Sequence, residues 1–329
     1  MIATTGFFDG VHLGHRLVIE RLVSLAHERG DESLVVTFWP HPRAVLQDGA
    51  RELRLLNTLE EKKGLLTALG VDRIEVLDFT RTFAALTARE YLTLLRDRFG
   101  VTTLMMGYDN RVGSDRLTAS TLKTVADEIG VELIELEPVG LEPSGMGERP
   151  QTVIGDDPSH GNPGAPPSYA AEGGPRFADV HPSLTPVSST KIRRCLEEGD
   201  VAAAAAMLGY RYGLRGAVVA GNRLGRTIGF PTANMQLYEP LKLVPGRGVY
   251  VVEVEVLGRK FRGMTNIGTR PTVGGTTTSI ETHILDFDED IYGLPLQLRF
   301  LRRLRDEVHF PSLDALKAQL ALDRDACCD

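Results

Sequence analysis

Two histidines three residues apart, His12 and His15, close the string GFFDGVHLGH at residues 6–15. A short apolar run at 2–5 precedes the string, and a helical pattern follows at 16–29, with Leu17, Leu22 and Leu25 on its apolar side. This places both imidazoles at a strand-to-helix turn, beside free helix N–H groups and the positive end of the helix dipole, where an anion is favoured. Asp9-Gly10 supplies the turn, and Gly14 lets backbone come close to a ligand. Imidazoles aimed at such a place bind phosphate, or stabilise charge that develops on it during transfer. The competing use of the pair is to cap and pack the turn. A metal pair is disfavoured, because histidines sharing a metal from one helix usually sit at i and i+4, as in HExxH.

A second phosphate-type cluster is Ser188-Ser189-Thr190 with Arg193, hydroxyls at a helix start and a guanidinium one turn in. The rigid turn TFWPHP at 37–42 turns His41 either towards the same crevice or towards solvent. GYDNRVG at 107–113 ends another strand; Asp109 there is able to accept from a base or ribose, and Arg111 to meet a phosphate. In the second half, GRTIGFPTAN at 225–234 combines Gly225 and Gly229, which permit close backbone approach, with the neutral oxygens of Thr232 and Asn234. Mg²⁺ takes few protein ligands and keeps waters and nucleotide phosphates, so two such oxygens suffice. The GK[ST] element of a Walker loop is missing. NIGTRPT at 266–272 offers similar chemistry, and SIETHILDF puts Glu281 and His283 on one face of a strand, opposite Ile280, Thr282 and Ile284. A carboxylate on such a face is commonly solvated or ion-paired.

The elements that must position these groups follow from periodicity. Strand-like runs at 33–38, 73–78, 103–107 and 132–136 alternate with amphipathic stretches at 58–69, 87–99 and 119–129. Thr58 with Glu61 and Thr87 with Glu90 are capping-box pairs that start helices. Repeated β-α units imply a parallel sheet covered on both faces, with its ligand at the carboxyl ends of the strands. From 141 to 186 the chain is rich in Gly, Pro and Ser and poor in apolar residues, which reads as a surface excursion. Ser189 or Thr190 then caps a helix to 198, and a second helix spans 201–208. Beyond it, strands at 212–220, 249–257, 260–267, 279–285 and 296–304 suggest a small barrel, followed by a helix at 312–324.

At 329 residues the chain has room for two domains, and 42% hydrophobic with 25% charged residues is ordinary globular composition. A net charge of −7 argues against a general nucleic-acid binder. Arg299, Arg302, Arg303 and Arg305 read as one exposed strand face. Cys195, Cys327 and Cys328 form neither a disulfide framework nor a zinc pattern. No run is apolar and long enough for a membrane span or a signal peptide, so the cytoplasm is the expected location.

GFFDGVHLGH, TFWPHP, VSSTKIR, GRTIGFPTAN, GVY at 248–250, NIGTRPT, ETHILDFDEDIYG at 281–293 and LRDEVHFPSLDALKAQLALD at 304–323 occur in this order over nearly the whole chain. In this the chain resembles the prokaryotic bifunctional riboflavin kinase/FAD synthetases. The resemblance implies an α/β protein: a doubly wound, parallel-sheet nucleotidyltransferase-like domain over 1–199, carrying the insertion at about 141–186, then a small β-barrel flavokinase domain over 200–329 with a C-terminal helix. It implies phosphorylation of riboflavin by ATP to FMN, and adenylylation of FMN by ATP to FAD and pyrophosphate. On this likeness Gly6, Phe8, Asp9, His12, His15, Ser188, Ser189, Thr190 and Arg193 bind ATP in the first domain, with Asp109 and Arg111 on the FMN side. Gly225, Gly229, Pro231, Thr232 and Asn234 bind ATP in the second, with Thr232 and Asn234 on Mg²⁺, Glu281 as base, and Arg305 and Phe310 against the flavin. Asn110 and Val112 stand where the family commonly has phenylalanine, and Thr118 replaces a glycine. A kinase-only chain is therefore the alternative. Riboflavin, FMN and ATP are the implied partners, without nucleic acid or membrane.

Overall fold

The computed structural model describes residues 1–46, 53–107, 112–136, 187–221, 224–272 and 275–327. Among these, residues up to Ser189 belong to one compact unit and those from Thr190 to another. The 141–186 segment, Asp109, Asn110 and Arg111 lie outside the described residues.

The first unit runs β1 (Ile2–Thr5), α1 (Leu13–Arg29), β2 (Ser33–Trp39), α2 (Pro42–Leu46), α3 (Leu59–Ala68), β3 (Arg73–Asp78), α4 (Arg81–Ala84), α5 (Ala88–Phe99), β4 (Thr103–Gly107), α6 (Ala119–Ile129) and β5 (Glu132–Leu136). Its strands form one parallel sheet in the order β3-β2-β1-β4-β5. All of β1 and the first five residues of β2 are buried, the pattern of strands covered on both faces. Ala3, Leu34, Val36, Leu104 and Met106 share a core with Tyr91, Leu92 and Leu95 of α5 and Leu122 and Ala126 of α6. Helix α1 packs against β1, β2 and β4. The strand order reverses about β1, so the loop leaving β1 opens into the crevice where such sheets bind ligands.

Local chemistry sets the helix starts. Thr58 and Thr87 cap α3 and α5, each in a reciprocal capping box with Glu61 and Glu90. Helix α1 begins at Leu13, three residues before the expected start, and buries Leu13, Ile19, Leu22, Leu25 and Ala26, while Leu17 is only half-buried. The short helices α2 and α4 were not legible as periodicity; Thr80 caps α4 by accepting from the Phe83 N–H at 3.0 Å.

The second unit contains α7 (Ser189–Glu197) from its second residue on, α8 (Val201–Leu208), β6 (Gly213–Val219), α9 (Leu224–Thr227), β7 (Ala233–Leu237), β8 (Gly248–Val256), β9 (Arg259–Thr272), β10 (Gly275–Ile284), β11 (Pro295–Arg305) and α10 (Leu313–Asp325). Ser189 is itself the first helical residue of α7, so the cap position falls on Ser188, not on Ser189 or Thr190. Six strands close a barrel, β10-β7-β6-β11-β8-β9, with every pairing antiparallel. Strand β7 is not legible in the sequence, because it emerges from a Gly- and Pro-rich string; without it the barrel could not close.

The arginines of β11 do not form one exposed face. Register shifts between Phe300 and Arg302 and between Arg303 and Arg305 break the alternation. Arg299 bonds Glu253 at 2.9 Å and Glu255 at 3.2 Å across the strand pair, and Arg305 turns to Asp323 of α10 at 2.7 Å. Cys327 is buried beside Met264 and Leu285, a packing role the tail position did not suggest.

Candidate active sites

The first site is built on the loop from Gly6 to His12. Phe8 and Val11 hold positive φ values of 50° and 35°, conformations that non-glycine residues adopt only under local strain. Gly10, at φ 87°, makes the turn. A Cβ on Gly6 would meet the Phe8 ring at 2.9 Å, so the glycine lets that ring fold back over the strand end. Asp9 is buried, and its carboxylate accepts from the backbone N–H of Leu56 at 3.0 Å and of Asn57 at 3.2 Å. Ser189 Oγ donates to the Asp9 carbonyl at 2.9 Å. Thr190 and Arg193 follow on α7, within the second unit.

His12 is the N-cap of α1, and its Nδ1 accepts from the His15 N–H at 3.3 Å. With Nδ1 accepting, the ring proton sits on Nε2. The two imidazoles stack with centroids 3.7 Å apart and planes 15° from parallel. A Cβ on Gly14 would lie 3.3 Å from the His12 ring, and the Phe8 edge meets His15 at 5.3 Å. Burial pushes His12 down to about 4, opposed by a backbone hydrogen bond. Burial also holds His15 well below its ordinary value, helped by the charges of His12 and Lys62. Both rings are therefore neutral near pH 7. His15 Nδ1 is buried without a hydrogen-bond partner among the described residues, a state that points to a missing polar group.

Nothing in the sequence sets Lys62 of α3 apart, because its position reads as one more solvated charge on an amphipathic helix. It is fully buried, with Nζ 3.3 Å from Thr37 Oγ1 and 3.6 Å above the Phe7 ring. Burial lowers it to about 8, opposed by the charge of Asp9. The site thus combines neutral N–H donors with one buried ammonium. His41 faces the same loop, its ring 4.0 Å from that of Phe7.

Beside Gly6 lies a cavity of about 260 Å³, lined by Thr5, Phe38, Phe79, Phe83, Tyr91 and Val112 among others. Phe38, Phe79 and Phe83 sit with ring centroids 5.5–5.8 Å apart, and the Phe83 edge meets Tyr91 at 5.7 Å. Tyr91 and Thr5 share a hydrogen bond of 2.6 Å, and burial pushes the phenol far up. Only Phe38 lay in a motif; the others looked like core. Of the departures from the family pattern, Val112 packs into the core and the wall of this cavity, and Thr118 caps α6.

The second site lies on regular strands. Glu281 of β10 stands in register with Asn234 of β7 on one side and Asn266 of β9 on the other. Directly opposed residues share a face, so the three form a polar row. The alternate row turns inward, where Thr282 and Thr265 hydroxyls meet at 2.8 Å. A cavity of about 520 Å³ is lined by Gly225, Thr232, Asn266, Glu281, His283, Arg305 and Phe310 among others. A second cavity, of about 290 Å³, is lined by Arg226, Pro231, Thr232, Asp288 and Tyr292 among others, so Thr232 borders both. Asn234 is buried, and a Cβ on Gly221 would fall 2.2 Å from its amide. Gly225 comes against the Phe230 carbonyl, and Gly229 turns the chain at φ 87°.

Among the described residues, no three His, Cys, Asp or Glu side chains cluster as a metal site. Thr232, Asn234 and Glu281 are hard oxygen donors, a set that fits a cation which also takes nucleotide phosphates. Arg305 sits with Nε 3.0 Å from both oxygens of buried Asp323, which Gln319 also contacts at 2.9 Å. Its guanidinium lies 5.6 Å from the centre of the Phe310 ring.

A parallel α/β unit with an imidazole-lined strand end, joined to a closed barrel with a carboxylate beside an oxygen-donor turn, defines a two-unit nucleotide-dependent transferase. The FAD synthetase family matches residues 1–146, and the riboflavin kinase family matches residues 208–328. Bifunctional riboflavin kinase/FMN adenylyltransferases are similar along nearly the whole chain. That of Escherichia coli K12 is 36% identical over 98% of this chain and 90% of its own length. Those of Listeria monocytogenes and Bacillus subtilis are 32% and 30% identical, with the same coverage. A crystal structure from Streptococcus pneumoniae, described as a macrolide-efflux protein, is 31% identical with a TM-score of 0.82, covering 100% of this chain and 93% of that one. The chain belongs to the bifunctional riboflavin kinase/FMN adenylyltransferase family. Both halves are matched, so the kinase-only alternative is not favoured. No helix among the described residues is long and apolar enough to cross a membrane.

Proposed function

We propose that the family's two reactions are divided between the histidine-bearing strand end and the barrel cavities. Both activities belong to this chain: riboflavin and ATP give FMN, and FMN and ATP give FAD and pyrophosphate. For the functional halves we take 1–199 and 200–329, and for the location the cytoplasm.

In adenylylation, the attacking group is the phosphate of FMN, whose second pKa is about 6. It arrives ionised near neutral pH, so the reaction needs alignment and charge stabilisation, with no proton to remove. Neutral His12 and His15 donate to phosphoryl oxygens of ATP, the buried Lys62 ammonium adds positive field, and Ser188 and Ser189 add hydroxyls. The orphaned His15 nitrogen supports this reading. The aromatic cavity lined by Phe38, Phe79, Phe83 and Tyr91 suits the flavin ring of FMN.

Riboflavin's 5′-hydroxyl is a poorer nucleophile, and transfer of the γ-phosphate to it is helped by a base within hydrogen-bond reach. Glu281 is that base, in the larger cavity, where Arg305 and Phe310 face the flavin. ATP occupies the smaller cavity, with Thr232 at the junction. Thr232 and Asn234 would hold the divalent ion, which we assign as Mg²⁺; when bound, it neutralises charge on the transferring phosphoryl group. The observation that carries the kinase assignment is the row Asn234–Glu281–Asn266 beside Thr232.

Product analysis tests the reading. Riboflavin with ATP and Mg²⁺ should give FMN and then FAD, and FMN with ATP should give FAD and pyrophosphate. Absence of FAD from the second mixture would remove the adenylyltransferase half of the proposal.

A further inference from the structure

We infer that His283 is a positioning residue of the kinase, its imidazole holding the Pro231 carbonyl so that Thr232 keeps the geometry needed by the metal-bound nucleotide. The inference rests on the reading of Thr232 given above.

His283 Nδ1 lies 2.8 Å from the Pro231 oxygen. A carbonyl can only accept, so that nitrogen carries the proton and donates. The need for the bond follows from register. Strands β10 and β7 pair as Glu281 with Asn234 and Thr282 with Ala233, and the ladder ends there. The next step of the same register would set His283 against Thr232. Beyond the ladder, the Pro231–Thr232 segment receives the side chain of His283, two residues from Glu281 on the same strand face. The Phe230 edge meets the imidazole at 5.3 Å, fixing its plane. One side chain thus links the strand that carries the base to the turn that carries Thr232. His283 also lines the larger cavity, so the rival role is direct contact with the flavin.

The full-length protein would be compared with His283→Asn, His283→Ala and Thr232→Ala. Asparagine places an amide N–H where Nδ1–H stands, whereas alanine places nothing. Kinase kcat and KM would be measured, together with calorimetric binding of ADP with and without Mg²⁺, and FAD formation from supplied FMN as an internal control. His283→Ala should weaken Mg²⁺-dependent ADP binding and raise the KM for ATP about tenfold, the scale of one lost hydrogen bond. The KM for riboflavin should stay put, and His283→Asn should recover most of the loss. A rise confined to the riboflavin KM, or His283→Asn no better than His283→Ala, would overturn the positioning role. Should His283→Ala fail to fold, the Asn variant against wild type decides: near-normal Mg²⁺-dependent binding supports the role, and its loss rejects it. Thr232→Ala separates the two layers, because Mg²⁺-dependent ADP binding that survives it sinks the reading of Thr232 itself.

Discussion

The histidine-bearing loop and the barrel cavity present opposite electrostatics on opposite architectures. The first is buried and built on an irregular loop, with two positive φ values at non-glycine residues and imidazoles held neutral by desolvation. The second is open and built on regular antiparallel register, with a carboxylate facing a cavity. On the proposed division of the two reactions, the contrast follows from the nucleophiles. A phosphate attacks already charged, so its site supplies donors and positive field. A hydroxyl attacks with a proton to lose, so its site supplies a base.

The sharpest way to break this comparison is Glu281→Gln. Riboflavin phosphorylation should fall by about 10²–10⁴, the usual contribution of a positioned base, while FAD formation from supplied FMN is unchanged. Equal loss of both activities in a folded variant would end the two-site partition. His15→Ala should do the reverse, lowering FAD formation by about 10²–10³ with riboflavin phosphorylation intact, as read by separate assays of the two steps.

Acid should separate the two regions next. Because burial holds His12 near 4 in the folded state, the unfolded chain takes up its proton first as pH falls. The stability tied to neutral His12 is fully present above about 6.5 and is lost as pH falls through about 4, a total of about 3 kcal/mol. His15 acts in the same direction. Denaturation of wild type and His12→Asn at pH 7 and pH 4.5 would show it, since asparagine keeps a cap acceptor but does not titrate. Identical losses in the two proteins would contradict the buried-neutral reading. The smallest effect is Thr87→Ala, which removes one capping box and should cost about 1 kcal/mol in denaturant unfolding of the first unit, with kinase activity unchanged.

How far each region was legible in sequence follows the same divide. All five strands of the parallel sheet were visible as short apolar runs, and the caps at Thr58 and Thr87 marked helix starts correctly. The capping use of the histidine string was also legible, and the structure shows that His12 caps the helix. In the barrel, β7 escaped because Gly and Pro around it hide a five-residue strand, and β9 and β10 run longer than their apolar cores. The arginines of β11 misled because bulges reset the alternation on which the exposed-face reading depended. The aromatic cavity was invisible because Phe38, Phe79, Phe83 and Tyr91 come from separate elements and each alone resembles core.

What the chain's order of residues determined by itself is whatever acts within one turn or one strand: caps, alternation, the histidine pair, and the placement of Glu281 on a polar face. Only the tertiary structure decided which distant residues meet. Lys62 reaches Phe7, His283 reaches Pro231, and Arg305 reaches Asp323. These contacts depend on sheet order and barrel closure, and no local periodicity encodes how strands far apart in sequence come to lie side by side.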